Sequence, residues 1–307
     1  ALANGTVVEL PAVESARAQI IHNAADPAAS FVDVYIVEKL TGSNNEVIKL
    51  DNFGFRTATP YTNLPAGVPF DVIVADSSSS SIADSIAVFN YPMGLMANEN
   101  YAIIANGVLD TTAFTANPDG ESIAFNLYVL SDARIQSQPL SDVNVIAFHG
   151  ATDAPTVDVD IRGLSGVEID DLTYGNFSPG YVSITPQDIK LDVTDASGAV
   201  VVDSFSATLS LAAGAATTVF ASGFLDDSQG AEFGLFAALP INIGGNYVIP
   251  LPKLQDQGTF IYESAAFNEL KLYPNPSSDF LRIDFNLKEN SDFEALDISP
   301  FCKQFNK

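Results

Sequence analysis

Residues 143–161 read VNVIAFHGATDAPTVDVDI, and this stretch contains one of only two histidines in the 307-residue chain. The other histidine lies in AQIIHNAADPAASFVDVYI at residues 18–36, which has nearly the same pattern. In both stretches an apolar segment ends at a histidine, an aspartate follows four residues later, and a Val-Asp-Val segment comes next. Such internal similarity predicts that one structural unit occurs twice.

Further segments recur in the same order. LDNFGFRTATPY from Leu50 corresponds to IDDLTYGNFSPGY from Ile169, and LMANENYAIIANGVLD, which ends at Asp110, corresponds to LAAGAATTVFASGFLD, which ends at Asp226. A last match pairs FNLYVL from Phe125 with FGLFAA from Phe233, and the spacing between matched segments drifts only from 127 residues at the histidines to 108 residues there. This conserved order of landmarks along one chain indicates a duplicated domain.

Two domains fit the repeat, at residues 17–137 and 138–255, and each is close to the ~100 residues of a typical β-sandwich. Apolar and polar residues alternate in DIKLDVTD at residues 188–195 and in SFSATLSL at residues 204–211. That alternation is typical of strands with one buried face. Glycine, proline and serine clusters separate such segments, and helical spacing is hard to find along the chain. The sequence predicts an all-β fold with two tandem β-sandwich domains.

The composition and the apolar pattern of the sequence change after residue 255. Residues 256–267 are interpreted as a polar linker and residues 268–307 as a small C-terminal β module, because strand-like alternation lies on both sides of an Asn-Pro turn. Residues 1–16 are interpreted as the N-terminal leader segment of the mature chain. Since the sequence begins with ALANG, we expect that a signal peptide has been removed.

Charge and composition limit the partners. The chain has 38 acidic and 13 basic side chains, and its formal net charge is −25. Such a field repels phosphate backbones within a Debye length of roughly 10 Å, so nucleic acid is not an expected partner. No window approaches the roughly 18 continuous apolar residues of a membrane helix, so no membrane span is expected. Cys302 is the single cysteine, which excludes an internal disulfide.

Polar residues of the repeated stretches are the candidate site residues, as ligand contacts or as residues that structure loops: His22, Asp26, Asp33, His149, Asp153 and Asp158. A histidine near an aspartate has the residue types of a catalytic or metal site. However, one histidine per domain cannot supply a typical zinc site, and the Gly-x-Ser-x-Gly motif of hydrolases is absent. We expect instead that each histidine bonds a loop carbonyl, that the next aspartate forms an Asx turn, and that the strand aspartate caps a loop. No catalytic residue, cofactor or metal ligand is predicted.

Two binding alternatives stay open. Acidic segments such as residues 225–230 leave calcium binding as an alternative, although Ile169 stands where a calcium loop beginning at Asp158 needs a glutamate. The matched aromatic pairs, Tyr61 with Tyr181 and Phe55 with Tyr174, leave glycan binding as an alternative, and core positions are the simpler interpretation of them.

The segments HGATDAPTVDVDI, LTYGNFSPGY and VFASGFLD resemble the bacterial family of domains of unknown function numbered 4397. Members of that family often occur as tandem copies in exported proteins. The resemblance covers about residues 17–255, and the first copy departs from it by two extra residues before Val32. It implies an immunoglobulin-like antiparallel β-sandwich in each copy and carries no established activity.

The segment ELKLYPNPSSDFLRIDF resembles the C-terminal sorting domain of the type IX secretion system of Bacteroidetes. The resemblance covers residues 268–299; the chain then reads PFCKQFNK where the family usually continues with Gly-Lys and further strands, which makes the domain partial. It implies secretion machinery as a partner and a location at the outer cell surface or outside the cell.

We therefore expect an exported, non-enzymatic structural or adhesion protein that contacts other surface proteins or glycans. A ligand-binding module for glycan or calcium is the alternative. A secreted hydrolase is a second alternative.

Overall fold

The computed structural model describes residues 14–39, 45–164, 168–198, 200–254, 267–274 and 281–287. The described residues up to 254 belong to one compact unit, and the last two segments belong to a second. The predicted leader up to residue 13 and the predicted linker up to residue 266 lie outside the described residues. Within the described part, no helix has the length and apolar character that crossing a membrane requires.

The first copy is a sandwich of two sheets. Its described strands are β1 (Ser15–His22), β2 (Phe31–Glu38), β3 (Asn45–Gly54), β4 (Thr57–Ala58), β5 (Thr62–Pro65), β6 (Phe70–Asp76), β7 (Ser85–Tyr91), β8 (Asn100–Asn106) and β9 (Asn126–Ser131). One sheet has the order β4-β1-β8-β9, with β5 also paired to β1, and the other has the order β3-β2-β6-β7. Side chains from both sheets, such as Ile20 and Val34, share one core.

The second copy repeats this arrangement. Its described strands are β10 (Val143–Phe148), β11 (Val157–Ile161), β12 (Glu168–Leu172), β13 (Val182–Ile184), β14 (Ile189–Asp195), β15 (Val201–Ala207), β16 (Ala216–Ser222), β17 (Gly234–Ile243) and β18 (Asn246–Pro250). Its sheets have the orders β13-β10-β16-β17-β18 and β12-β11-β14-β15. Register is also repeated: Val32 pairs with Asp76 in the first copy, and Val157 pairs with Asp195 in the second. The predicted all-β sandwich fold is confirmed.

Each copy adds one parallel pair to its antiparallel sheets. β1 pairs in parallel with β8, and β10 pairs in parallel with β16. Parallel neighbours need a long crossover connection. Here the chain between the two strands supplies it, because that chain forms the whole opposite sheet. Helical structure in the described residues is limited to 3₁₀ turns at Pro27–Ala29, Ile82–Asp84 and Asp227–Gln229.

The bounds of the two copies differ slightly from the predicted ones. β1 begins at Ser15 instead of residue 17. Gln136 forms a bridge with Ala215 of the second copy, although the predicted boundary places residue 136 in the first. The reason is that the chain leaving β9 already runs along the second sandwich before β10 begins.

The two sandwiches pack against each other through one sheet of each. Ile21 and Ile104 of the first copy form an apolar cluster with Phe148, Phe220 and Ala238 of the second. Neighbouring residues of a strand point to opposite faces of the sheet. β1 therefore contributes one face to its own sandwich core and the other face to the junction, and four sheets stack as layers.

The second unit contains a β-hairpin. β19 (Phe267–Pro274) pairs antiparallel with β20 (Leu281–Leu287). This is the strand pair that the alternation on both sides of the Asn-Pro turn predicts, and the turn itself at residues 275–280 lies outside the described residues.

Candidate functional site

Both histidines among the candidate site residues are buried, and each forms a hydrogen bond with a backbone carbonyl. Nε2 of His22 lies 2.8 Å from the carbonyl oxygen of Ala29, and Nε2 of His149 lies 2.9 Å from that of Pro155. Burial lowers the pKa of His22 to about 4, and it also lowers the pKa of His149. Each ring is therefore neutral near pH 7 and donates its N–H to the loop that follows it.

The aspartate after each histidine holds the loop at the end of a central strand. Oδ2 of Asp26 accepts a hydrogen bond of 2.8 Å from the backbone N–H of Leu109. Oδ1 of Asp153 accepts one of 2.9 Å from the N–H of Leu225. These are matched residues, so each copy uses its carboxylate for the same backbone contact.

The expected Asx turn is present at one aspartate and not at the other. Oδ1 of Asp26 accepts from the N–H of Ala28 at 2.8 Å. The residue two positions after Asp153 is Pro155, which has no N–H to donate. Asp153 accepts instead from the N–H of Asp226 at 2.9 Å, so the expected turn is wrong at this position.

The strand aspartates bond to the neighbouring strand. Oδ1 of Asp33 accepts from the N–H of Asn52 at 2.9 Å, and Oδ1 of Asp158 accepts from the N–H of Asp171 at 2.7 Å. Asn52 and Asp171 have φ angles of +52° and +49° and lie where the register of the strand pair shifts. A bulge leaves an N–H without its ladder partner. The carboxylate supplies the missing acceptor.

In the part of the chain that the structure describes, no group of three or more His, Cys, Asp or Glu side chains is arranged to hold a metal ion.

The matched aromatic residues are used inside the protein. The hydroxyl of Tyr174 accepts a hydrogen bond of 3.0 Å from Nδ2 of Asn106, which belongs to the other copy. The hydroxyl of Tyr181 accepts one of 2.7 Å from the N–H of Arg134. Burial raises the pKa of Tyr61. These contacts resemble those of core residues more than those of exposed sugar platforms.

Arg56 joins the first copy to the second. Its guanidinium lies over the rings of Phe55 and Phe236, with 4.8 Å and 4.2 Å to the ring centres. Nε donates to Oγ of Ser222 at 3.0 Å, and a terminal nitrogen donates to the carbonyl of Glu232 at 2.6 Å. Burial lowers the pKa of Arg56 to about 10, so it stays charged near pH 7. The planar fork fixes the side chain in one orientation across the junction.

A longer loop in the first copy also crosses the junction. It spans residues 111–124, whereas its counterpart spans only residues 227–232. Nδ2 of Asn117 in this loop donates to the carbonyls of Thr152 and Ala154 at 3.0 Å and 2.9 Å. The loop therefore covers the histidine loop of the second copy, and its extra length accounts for the last step of the drift in spacing, from 116 to 108 residues.

The interior of the second sandwich contains a large apolar cavity. Its volume is about 750 Å³, whereas the matching cavity of the first sandwich has about 10 Å³. Protein interiors normally leave few spaces larger than a water molecule, and ligand sites have volumes of about 300–1,000 Å³. The second sandwich thus has the internal dimensions of a binding site, and the first does not.

Side-chain size at matched positions explains this difference. Phe70 and Tyr91 are cross-strand partners in the first copy, and their rings stack with centres 5.0 Å apart. Ile189 and Ala207 hold the same cross-strand positions in the second copy. Replacing two aromatic rings by an isoleucine and an alanine leaves that end of the sandwich unfilled.

At two further matched positions, the side chain of the second copy fills less of the sandwich interior than that of the first. Leu95 is only 4% exposed and closes the end of the first sandwich, whereas its counterpart Leu211 is 98% exposed. The hydroxyl of Tyr101 accepts a hydrogen bond of 3.0 Å from the N–H of Met96, which holds that closed end together. Thr217 replaces Tyr101 in the second copy. We call the open end at Leu211 the mouth of the cavity.

The cavity wall is mostly apolar, and its polar side chains among the described residues are Gln136, His149, Ser206, Thr208 and Thr217. Among the described residues that line it there is no Asp, Glu, Lys or Arg. His149 lies at the end opposite the mouth, and its Nδ1 has no hydrogen-bond partner among the described residues. At the mouth, Ile241 and Ile243 are exposed together with Leu211. The wall therefore fits an uncharged, apolar molecule.

His149 is the only candidate site residue of the sequence analysis that lines this cavity in the described structure. The recurring sequence pattern does not reveal the cavity, because it shows which residues are repeated and not how the sizes of neighbouring side chains add up across a sheet. One part of the signal was present in the sequence, since the matched segments that end at Asp110 and Asp226 place Thr217 where the first copy has Tyr101.

The resemblances to the domain family numbered 4397 and to the sorting domain stay predictions. A comparison of this chain with family models gives no matching family, and a comparison with curated proteins gives no matching protein.

Proposed function

We propose that this chain is an exported, non-enzymatic structural or adhesion protein of the cell surface or the extracellular space. The observation that carries the proposal is the junction between the two sandwiches. It combines the apolar cluster around Ile21 and Phe148 with the loop at residues 111–124. It also includes the hydrogen bonds and ring contacts that Arg56 makes with the second copy, which we call the Arg56 clasp. This junction joins the two sandwiches in one compact unit, which suits a protein that keeps partners at a fixed spacing.

The use of the candidate polar residues supports a non-enzymatic role. His22 and His149 are neutral and donate to loop carbonyls, and Asp26, Asp33, Asp153 and Asp158 accept hydrogen bonds from backbone N–H groups. A general base needs a free acceptor within reach of a substrate proton. Nε2 of both histidines and the four carboxylates serve the local backbone instead; Nδ1 of His149 has no partner among the described residues and lies at the cavity end opposite the mouth.

Charge and the tail support export. A formal net charge of −25 suits contact with cations or basic protein surfaces. β19 ends with Tyr273 and Pro274, the first two residues of the Tyr-Pro-Asn-Pro stretch on which the resemblance to a sorting domain rests. We propose that secretion machinery recognises this tail, and that other surface proteins or glycans are the partners of the sandwiches.

A cell-retention assay tests the adhesion role. Surfaces coated with the full chain should retain bacterial cells under flow better than surfaces coated with albumin at the same density. In parallel, the protein should show no turnover of ester, glycoside or peptide substrates. Turnover that disappears in His149→Ala would overturn the proposal, as would retention no better than albumin.

Two binding measurements distinguish the proposed adhesion role from the alternative of a ligand-binding module. Saturable binding to a glycan array, or calcium binding in calorimetry at micromolar to millimolar concentration, would favour the ligand-binding module. No signal in either measurement would count against that alternative.

A further inference from the structure

We propose that the second sandwich binds one long acyl or alkyl chain in its internal cavity, and that the chain enters at the mouth beside Leu211. This inference goes beyond the structural or adhesion role. It rests on the size, shape and wall chemistry of the cavity and on the contrast with the first copy.

The cavity lies between the two sheets and runs along the strands. Its wall includes Ala215 near the mouth and Ala221 near the other end of β16. Six residues of strand span roughly 20 Å at about 3.3 Å per residue, and the two sheets of a sandwich lie only about 10 Å apart. An extended hydrocarbon chain can lie between the sheets over this length.

The wall matches a hydrocarbon chain in chemistry too. No charged side chain among the described residues lines it, and the hydroxyl of Thr217 already donates to the carbonyl of Ala238 at 2.9 Å. The buried part of the ligand therefore meets a mostly apolar wall, with Nδ1 of His149 at the far end as an unpaired acceptor. Each methylene that enters the cavity should tighten binding by about fourfold, since burial of one CH₂ is worth about 0.8 kcal/mol.

The mouth supplies an entry route and constrains the head group. Leu211, Ile241 and Ile243 are exposed around it, so a chain can move from an apolar lip into an apolar interior. The head group stays at the mouth in water. Because the formal net charge of the protein is −25, an uncharged or zwitterionic head is favoured over an anionic one.

Binding of 1-alkanols to the full chain tests the proposal. Tritiated 1-hexadecanol should co-elute with the protein in gel filtration at one molecule per chain. In competition from 1-octanol to 1-octadecanol, affinity should rise by about fourfold per methylene and then level off when the chain exceeds the cavity. Binding without dependence on chain length, or no binding of any alkanol, would overturn the proposal. A compact compound such as naphthalene that binds when no alkanol does would also overturn it.

A pair of variants locates the site. Ile189→Phe with Ala207→Tyr restores the aromatic pair of the first copy and should weaken 1-hexadecanol binding by at least a hundredfold, while the unfolding transition is kept. The matched control, Phe70→Ile with Tyr91→Ala, alters the first copy and should leave the original site unchanged. Unchanged binding in a folded closure variant would overturn the proposal.

A surface variant covers the case in which the closure variant does not fold. Leu211→Glu changes an exposed side chain at the mouth and leaves the cores untouched. It should slow 1-hexadecanol uptake by at least tenfold. Unchanged uptake would overturn the proposed entry route.

Two arms distinguish the source of the chain. One arm offers dispersed 1-hexadecanol, and the other offers phosphatidylcholine vesicles with radiolabelled acyl chains. Uptake from either arm supports the proposal and identifies the source as free chain or membrane lipid. Uptake from neither arm overturns it.

Discussion

The side-chain amide of Asn23 occupies the space directly in front of Gly150. Gly150 is the residue of the second copy that matches Asn23 of the first. Nδ2 of Asn23 donates to Oδ1 of Asn106 at 2.8 Å and to the carbonyl of Ala221 at 3.0 Å. At the centre of a junction between two copies of one domain, there is room for only one of the two matched side chains. The junction therefore requires the copies to differ at this position.

Gly150→Ala should destabilise the protein by about 1–3 kcal/mol, because its Cβ would overlap Nδ2 of Asn23 and the carbonyl of Ala221. Guanidinium denaturation measures the change in the free energy of unfolding. Gly180→Ala is the matched control, since nothing lies within 4 Å of the added Cβ there. Equal stability of the two variants would contradict the described junction.

Arg56→Lys should lower the free energy of unfolding by roughly 1–2 kcal/mol. A lysine keeps the charge but loses the flat contact with Phe55 and Phe236 and the paired donors to Ser222 and Glu232. The exposed Arg17→Lys is the control and should behave like the parent protein. Urea denaturation followed by circular dichroism checks both, and an unchanged midpoint for Arg56→Lys would rule out the clasp.

Stability should fall as the pH drops below about 6.5. Burial holds the pKa of His22 at about 4 in the folded state, whereas an unfolded histidine has a pKa near 6.5. Between these values the unfolded state binds a proton that the folded state resists, so acidification favours unfolding by up to ~3 kcal/mol from this residue.

His22→Gln isolates that contribution, because glutamine keeps an N–H donor and does not titrate. The difference in unfolding free energy between parent and variant should shrink from pH 7 to pH 4. Carboxylates also contribute to the pH dependence, but they do so equally in both proteins. Parallel pH curves would show that the ring is not buried in its neutral form.

Asp33→Ala should cost more stability than Asp158→Ala. Asp33 is fully buried and accepts from the N–H of Asn52 and from Oγ of Ser79, whereas partly exposed Asp158 accepts from the N–H of Asp171. An unpaired buried group costs about 1–3 kcal/mol. Thermal unfolding of the two variants at pH 7 gives the comparison, and the reverse order would refute this account of the bulges.

Much of the fold could be predicted because strand patterns are local. Ile189, Leu191 and Val193 are buried and Lys190 is exposed, as the alternation predicts. The duplication could be predicted because matched segments keep their order. The junction could not, since adjacent apolar residues such as Ile20 and Ile21 indicate two buried faces without indicating what covers the second one.

The cavity depends on a different kind of information. Ile189 and Ala207 are ordinary core residues for a strand, and only their pairing across β14 and β15 shows that both are small at one place. Register is a property of the folded sheet. A sequence read one strand at a time therefore predicts a filled sandwich.

The face-to-face junction also determines how far this architecture can grow. The sheet that contains β1 packs against the sheet that contains β10. A third copy added to the chain would therefore find both of these faces already covered. The arrangement is comparable to a closed dimer formed within one polypeptide. It differs from linear tandem arrays, which can be extended one domain at a time.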